Sequence, residues 1–486
     1  MPSFDPATVT PPLHHFIGGH AVAAEGVLEL CRPSDGQIHA AVPLADAETV
    51  DFAVRNAQAA LAASGWGRTQ PRDRLRALHR WADLIAADAG TLARLEAVAS
   101  TRPVAQALAG DVAVTAEVVR FFAEFADKEG GTVAPTAADK LGMIQSEPYG
   151  VVAAIVPWNF PLSIAAWKLG PALAAGNAVV LKPSEMTPYS ALRLAELAVE
   201  AGIPAGLVNI VLGDGAVTGS ALTIHPGIAK LSFTGSTAAG SAIMGNVART
   251  GIKPMTLELG GKSPQIVFAD ADLDLAADCV ARGVMANAGQ VCVAGTRVLA
   301  QAAIAEELAA RVAALMARAR PGPTWDAGST YSPIISARQL QRIETIVTAA
   351  IGQGAQVVAG ASRFEGPGSY YRPTILAGVG SDNPAVTEEI FGPVLTLQIF
   401  ETEEEAVALS HHPSYGLCAG VYTRDLSRAL RLGRAVEAGT VWINRYGRSA
   451  DHILPTGGFG GSGLGKDLGR EAYQANRRQK TVLIDI

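Results

Sequence analysis

Four cysteines supply the thiols that could act as nucleophiles: Cys31, Cys279, Cys292 and Cys418. One of them stands apart. Cys292 lies in Asn287-Ala288-Gly289-Gln290-Val291-Cys292-Val293-Ala294-Gly295, a glycine-flanked loop after a helical stretch rather than a periodic apolar face. A thiol held in a shaped loop suits nucleophilic catalysis, because the loop can aim it and tune its ionisation. A buried inert thiol is the alternative there, and it is the expected state of Cys31, Cys279 and Cys418. The four are far apart without a C-x-x-C pair, so neither a disulfide framework nor a zinc ribbon is implied, and a reducing compartment is expected.

Other chemistry-bearing patterns are weaker. Gly458-Phe459-Gly460-Gly461-Ser462-Gly463 spells G-x-G-x-x-G, but it follows a proline-containing loop near the C-terminus, with no acidic residue a βαβ unit downstream. It reads as a structural glycine loop. Gly460 to Lys466 spells G-x-x-x-x-G-K, yet Asp467 stands where a phosphate-binding loop needs a hydroxyl for magnesium. His14-His15 and His411-His412 are adjacent pairs that cannot share a metal at helical i, i+4 spacing, and no H-E-x-x-H exists, so no metal is expected. No serine is flanked by glycine two places away on both sides, which removes the hydrolase elbow.

The chain that must position these residues is 486 long, too much for one hydrophobic core, so at least two domains are expected. Hydrophobic residues make up 49 % and charged ones 17 %, which excludes a disordered chain. The 39 Lys and Arg against 45 Asp and Glu leave a net charge of −6, so no basic field attracts nucleic acid or an anionic membrane. The N-terminus lacks a basic start and an apolar stretch, and the uncharged run 148–167 is broken by Pro148, Pro157, Asn159 and Pro161. A cytoplasmic protein without a membrane span is the expectation.

Apolar positions recur at helical spacing from 50 to 127 (Val50, Val54, Ala57, Leu61; Leu75, Leu78, Trp81, Leu84, Ile85), which predicts a helical N-terminal region. Short β-like pieces, 132–134 and 143–146, follow. They are too narrow to form a core alone and must pack elsewhere. Then apolar runs at 151–156, 178–181, 208–212 and 230–233 alternate with helical stretches at 162–174, 189–201, 216–224 and 238–249. This order calls for a parallel sheet with right-handed crossovers. A second α/β block runs from Gln265 through 272–286 and 304–318 to 440–444, and a Gly-rich stretch, 457–469, leads into a polar helix and a closing strand, 481–486.

Six segments in order resemble the aldehyde dehydrogenase superfamily: Pro157-Trp158-Asn159-Phe160-Pro161, Lys182-Pro183-Ser184-Glu185, Phe233-Thr234-Gly235-Ser236-Thr237, Glu258-Leu259-Gly260-Gly261-Lys262-Ser263-Pro264, Gly289-Gln290-Val291-Cys292, and Glu388-Glu389-Ile390-Phe391-Gly392-Pro393-Val394. The resemblance covers nearly the whole chain. It implies that Cys292 attacks an aldehyde carbon, that Asn159 and the Cys292 N–H hold the oxyanion, and that hydride leaves for a nicotinamide. Glu258 then activates the water that hydrolyses the thioester. Asn159 could otherwise be a turn former before Pro161, and Glu258 a strand-end carboxylate satisfied by backbone donors. Lys168 matches a family lysine in the proton path behind the glutamate, with a helix-surface lysine as the alternative.

The same resemblance implies cofactor residues. Lys182 and Glu185 match the adenosine-ribose pair, and a carboxylate at Glu185 repels a 2′-phosphate, so NAD is expected, with NADP as a tolerated second cofactor. Gly235, Ser236 and Gly240 open a helix whose N-terminus would meet the pyrophosphate, although Ser236 or Thr237 could simply cap it. Gly215 is a turn glycine with some cofactor contact; Glu389 and Phe391 match the residues that hold the nicotinamide ribose and ring, and Trp158 is a further cofactor-binding candidate. The implied fold is α/β, with a Rossmann-like cofactor domain (1–126 and 148–257), an α/β catalytic domain (258–456) and a small β oligomerisation arm (127–147 and 470–486). A homodimer or homotetramer acting on a small aldehyde is expected.

The chain departs from the family at Gly460, where many relatives carry lysine, and at Trp167, where succinic semialdehyde enzymes tend to carry arginine. Phe160, Ile164, Trp167, Val291, Val293 and Tyr446 would make an apolar substrate path; Arg445 and Arg448 read as solvated cations or anion contacts. A CoA-acylating enzyme is the nearest rival, and Glu258 argues against it, since those enzymes commonly lack the base. A non-catalytic protein of the same fold is the other rival, opposed by the joint presence of Cys292, Asn159 and Glu258.

Overall fold

The computed structural model of the chain describes residues 2–23, 27–448 and 452–486; positions 1, 24–26 and 449–451, which fall within the expected domain ranges, lie outside the described residues. The apolar runs beyond residue 150 form β1 (Val151–Ile155), β2 (Ala178–Lys182), β3 (Val208–Ile210), β4 (Lys230–Thr234) and β5 (Met255–Glu258). Between them lie α1 (Pro161–Ala174), α2 (Tyr189–Glu200) and α3 (Thr237–Thr250). Pro161 opens α1 at a position where its missing N–H costs nothing. Every α1 residue except Trp167 is buried, so this helix is apolar all round and lies inside the protein.

The five strands pair in parallel in the spatial order β3-β2-β1-β4-β5. His15–Ile17 and His20–Val22 extend the β3 edge, and Gly463–Leu464 closes the β5 edge antiparallel. The order reverses between β1 and β4, and a doubly wound sheet has its ligand crevice at the carboxyl ends of the strands on either side of such a reversal. Asn159 follows β1, Gly235 and Ser236 follow β4, Lys182 ends β2 and Glu258 ends β5. The fold therefore brings four separate motifs to one edge.

The expected helix at 216–224 is two pieces, a π turn at Gly215–Gly219 and an α turn at Ser220–Ile224. Two glycines of low helix propensity in the first piece allow the wider turn, which Asp214 caps by accepting from the Val217 N–H at 2.7 Å. The second α/β block holds a seven-stranded sheet in which Thr374–Ala377, Val394–Phe400, Arg297–Gln301, Pro264–Val267, Cys418–Tyr422 and Thr440–Ile443 run parallel, and Gln356–Ala359 adds an antiparallel edge. Separate apolar clusters line the two large sheets.

A third sheet pairs Arg477–Asp485 along the whole of Lys140–Pro148, with Thr132–Ala134 on the other side. The closing strand thus begins at Arg477 rather than at residue 481, because the long partner strand continues to offer it hydrogen bonds. The hairpin Val27–Cys31 and Ile38–Pro43 was not legible in the sequence. It corrects one expectation: Cys31 is exposed, because a two-stranded ribbon has an outer face and Cys31 falls on it, whereas Cys279 and Cys418 are buried as expected.

Candidate functional site

The loop that leaves β1 is fastened to the loop that carries Cys292. Asn159 is 3 % exposed, and its Nδ2 donates to the Gln290 carbonyl at 3.0 Å. In return the Asn287 Nδ2 donates to the Asn159 carbonyl at 2.9 Å, and the Thr101 hydroxyl donates to Asn287 Oδ1 at 2.6 Å. The Gln290 side chain spends both ends on backbone: Nε2 donates to the Asn287 and Pro333 carbonyls, and Oε1 accepts from the Ile335 N–H, each at 2.9 Å. The turn itself is unusual. Asn287, Ala288 and Gly289 take φ of 48°, 50° and 72° in succession, and a Cβ on Gly289 would stand 2.0 Å from the Gly392 carbonyl oxygen.

This network speaks against Asn159 as a turn former. An Asn that builds a turn caps a backbone N–H with its Oδ1, and here Oδ1 has no partner while one Nδ2 hydrogen is spent across the loops. The second Nδ2 hydrogen remains for a ligand. Thr101, Asn287 and Gln290 were not singled out in the sequence; an Asn followed by small residues ahead of Gly289 was the available sign of a left-handed turn.

Glu258 is 7 % exposed, and its Oε1 has no hydrogen-bond partner, so it is not the satisfied strand-end carboxylate of the alternative reading. Gly457, at φ 143°, passes so close that a Cβ there would lie 2.5 Å from Oε1. Burial raises the Glu258 carboxyl to about 8, Asp467 pushes the same way, and Lys168, Arg448 and Lys466 oppose. Cys292 is half-buried. Loss of hydration pushes its thiol up to about 12, against a downward pull from Arg448, so the thiol rather than the thiolate is the resting form.

Lys168 is buried, and its Nζ donates to Asp467 Oδ2 at 2.5 Å. The helix-surface alternative is thereby overturned, because α1 has no solvent face at this position. Asp467, noticed in the sequence only as a misfit in a phosphate-loop pattern, is the partner the sequence did not reveal. Arg448 is not a solvated cation either: it is half-buried, lies 4.8 Å over the Trp167 ring and donates to the Thr456 hydroxyl. Of the expected substrate path, Phe160, Trp167, Val291, Val293 and Tyr446 are half-buried, but Ile164 is buried. The Tyr446 hydroxyl donates to the Val293 carbonyl at 2.9 Å, which ties it to the Cys292 loop.

On the neighbouring face, the buried Lys182 Nζ donates to the Pro183 carbonyl at 3.0 Å and stands 3.5 Å from Glu185 Oε2, which is partly exposed. Ser236 caps α3, its hydroxyl accepting from the Ala239 N–H at 3.2 Å. The Gly235 N–H donates to the Glu258 carbonyl at 3.0 Å and is not an open donor, a correction to its expected part. Gly240 packs where a Cβ would meet Leu259 at 2.7 Å, and Gly215 is exposed with nothing near it. Glu389 Oε1 accepts from the Gly261 N–H at 3.0 Å, and burial raises its carboxyl. Phe391, at φ 54°, meets the Trp158 ring edge-on at 5.3 Å.

A parallel sheet with an open helix N-terminus at its reversal point, facing a loop thiol and a buried unsatisfied carboxylate, defines a nucleotide-binding α/β enzyme. The profile of the aldehyde dehydrogenase family matches residues 21–482. An indole-3-acetaldehyde dehydrogenase solved with NAD+ is 39 % identical, with 99 % of this chain and 98 % of that chain covered at a TM-score of 0.97. A gamma-glutamyl-gamma-aminobutyraldehyde dehydrogenase from Burkholderia cenocepacia is 40 % identical over 99 % and 98 % of the two chains, with a TM-score of 0.96. The NAD+ complex of an aldehyde dehydrogenase from Bacillus cereus is 37 % identical over 99 % and 98 %, also at 0.96. The chain belongs to the aldehyde dehydrogenase family.

Proposed function

We propose that this enzyme oxidises an aldehyde to its carboxylic acid with NAD, through a covalent intermediate on Cys292 that water hydrolyses. The observation that carries the reading is the fastening of Asn159 to the Cys292 loop beside a buried carboxylate whose Oε1 has no partner. As the Cys292 sulfur bonds the aldehyde carbon, the thiol proton passes to water and the carbonyl oxygen becomes an oxyanion. Asn159 meets that charge with its uncommitted amide hydrogen, together with the Cys292 N–H. Because the amide is already held, no reorganisation is needed when the charge appears. The thioester left after oxidation is then attacked by water as Glu258 takes its proton, and the sulfur departs.

The residues present fit a dinucleotide. NAD, when bound, accepts the hydride. The Ser236, Thr237 and Ala238 N–H groups at the start of α3 would face its phosphates, Lys182 and Glu185 its adenosine ribose, Gly215 would leave room beside them, and Glu389 and Phe391, backed by Trp158, would hold the nicotinamide end. Gly235 and Gly240 act by letting the chain approach closely rather than by donating. Absorbance of NADH across a panel of aldehydes, with NAD and NADP in parallel, tests the reading; no reduction with any aldehyde would refute it.

Two predictions arise here. Replacing Asn159 by alanine is expected to lower kcat about 10²–10³-fold with little effect on NAD affinity, as for loss of one preorganised oxyanion donor; rapid kinetics and cofactor titration check both halves. The parent enzyme is expected to favour NAD over NADP by roughly one to two decades in kcat/KM, since one partly exposed carboxylate opposes the 2′-phosphate while Lys182 partly compensates. Glu185→Gln narrows that ratio by raising the NADP value, and a parent that prefers NADP contradicts the assignment.

The domain ranges 1–126 with 148–257, 258–456, and 127–147 with 470–486 are retained as the functional division, the last as the oligomerisation arm. The three-stranded sheet supports that division, because both of its edge strands carry apolar residues exposed to solvent, Val133 on one and Leu483 and Ile484 on the other, with Ile486 just beyond 81 % exposed, surfaces suited to a second copy of the chain. We propose a cytoplasmic homodimer or homotetramer, its assembly supported by those apolar surfaces. Among the described residues no helix is long and apolar enough to cross a membrane.

A further inference from the structure

A file of buried polar side chains runs down the sheet from Glu258, and the reaction above leaves most of it unused. Lys230, Ser232 and Thr234 alternate along β4 and so share one face; Thr256 and Glu258 alternate likewise along β5. The parallel register sets Ser232 beside Thr256 and Thr234 beside Glu258. Val152 and Ala154 of β1 stand beside Lys230 and Ser232, so the file is bordered by apolar residues. All five of its members are buried. Polar groups in a sheet interior cost stability unless they are bonded or functional, and two atoms here, Thr234 Oγ1 and Glu258 Oε1, have no partner.

At the far end stands Lys230, 2 % exposed. Its Nζ donates to Thr256 Oγ1 at 3.0 Å and to the Leu231 carbonyl at 3.4 Å, and among the described residues it forms no ion pair. An amine held by neutral oxygens has no counter-ion to fix its charge. The charged groups that act on it are Lys168 of α1, which disfavours its protonation, and Asp467 of the C-terminal turn, which favours it. Those two are bonded to each other. Glu258 feels the same pair together with Arg448 and Lys466.

We propose that Lys230 is the terminal proton acceptor for Glu258, reached through the Thr234, Ser232 and Thr256 hydroxyls with ordered water between them. The inference rests on Glu258 being the general base. In the resting enzyme the proton is on Glu258; its movement to the Lys230 amine gives a carboxylate and an ammonium. The carboxylate then takes a proton from the attacking water as the water oxygen bonds the thioester carbon and the carbon–sulfur bond breaks. Lys230 later returns its proton to solvent. Burial makes the exchange reversible, since it raises Glu258 to about 8 and lowers Lys230 to about 7: the resting proton stays on Glu258 but can pass to the amine and back, where the ordinary values would fix it on lysine.

The test is the pH dependence of steady-state turnover, alongside the first-turnover burst of NADH. With Lys230→Met, the acid limb of kcat is expected to move alkaline by about one pH unit, a roughly tenfold loss near neutral pH, while the burst persists. Lys230→Arg keeps a permanent charge but cannot accept a proton, so its limb is expected to move the opposite way while plateau turnover still falls; an arginine variant with the parent's plateau would show that charge alone suffices and overturns the proposal. Thr256→Val, which removes only a hydroxyl, is expected to shift it as the methionine does and covers the case in which the Lys230 variants fold poorly. Limbs that coincide with the parent's, or that move the same way for Met and Arg, overturn the proposal. If Glu258→Gln itself keeps normal turnover, the general-base reading fails instead.

Discussion

Cys292→Ala is expected to abolish NADH production, by four decades or more, on the order of what loss of a covalent nucleophile costs other enzymes. Cofactor affinity is expected to change little. The groups proposed to face the dinucleotide, at Lys182, Glu185 and the start of α3, belong to other elements than the turn that carries the thiol. The turn itself is held by Asn287 and Gln290 rather than by the Cys292 side chain, so the alanine variant keeps its fold. Stopped-flow absorbance and calorimetric titration with NAD read the two effects separately. Appreciable turnover by the variant would remove Cys292 from the reaction.

Glu258→Gln has the second-largest expected effect and divides the reaction in two. Steady turnover is expected to fall about 10²–10⁴-fold, the usual contribution of a positioned general base. The first equivalent of NADH still appears, because acylation has other routes for the thiol proton, whereas water cannot attack the thioester without a base. The unpaired Oε1 marks the carboxylate as available for that task. Since burial holds its carboxyl up near 8, it is mostly protonated below that value and ionised above it, and parent turnover rises with pH across this range. Normal turnover by the glutamine variant, with acceleration of the parent by CoA, would support the acylating rival.

The sequence showed the central sheet well, because β1, β2, β3 and β4 are continuous apolar runs between helices of ordinary length. It showed the chemistry-bearing motifs because each is local. It did not show what lies between motifs. Lys168 and Asp467 are separated by 299 residues, and only the return of the C-terminal turn onto α1 makes them partners. Arg448 read as solvated for the same reason: the Trp167 ring it covers lies in a different element. The Gly235 N–H looked free because a β4-to-β5 bond leaves no trace in a glycine's neighbours. Cys31 failed through composition, since an isolated hairpin has an exposed face that a general rule about cysteines cannot foresee.

The covalent intermediate is the centre of this account, and it can be weighed. Glu258→Gln enzyme mixed with NAD and a good aldehyde substrate, quenched in acid and examined by intact and peptide mass spectrometry, is expected to carry one acyl group, on the peptide that contains Cys292. No adduct under conditions that give an NADH burst, or an acyl group on Cys279 or Cys418 instead, would contradict it.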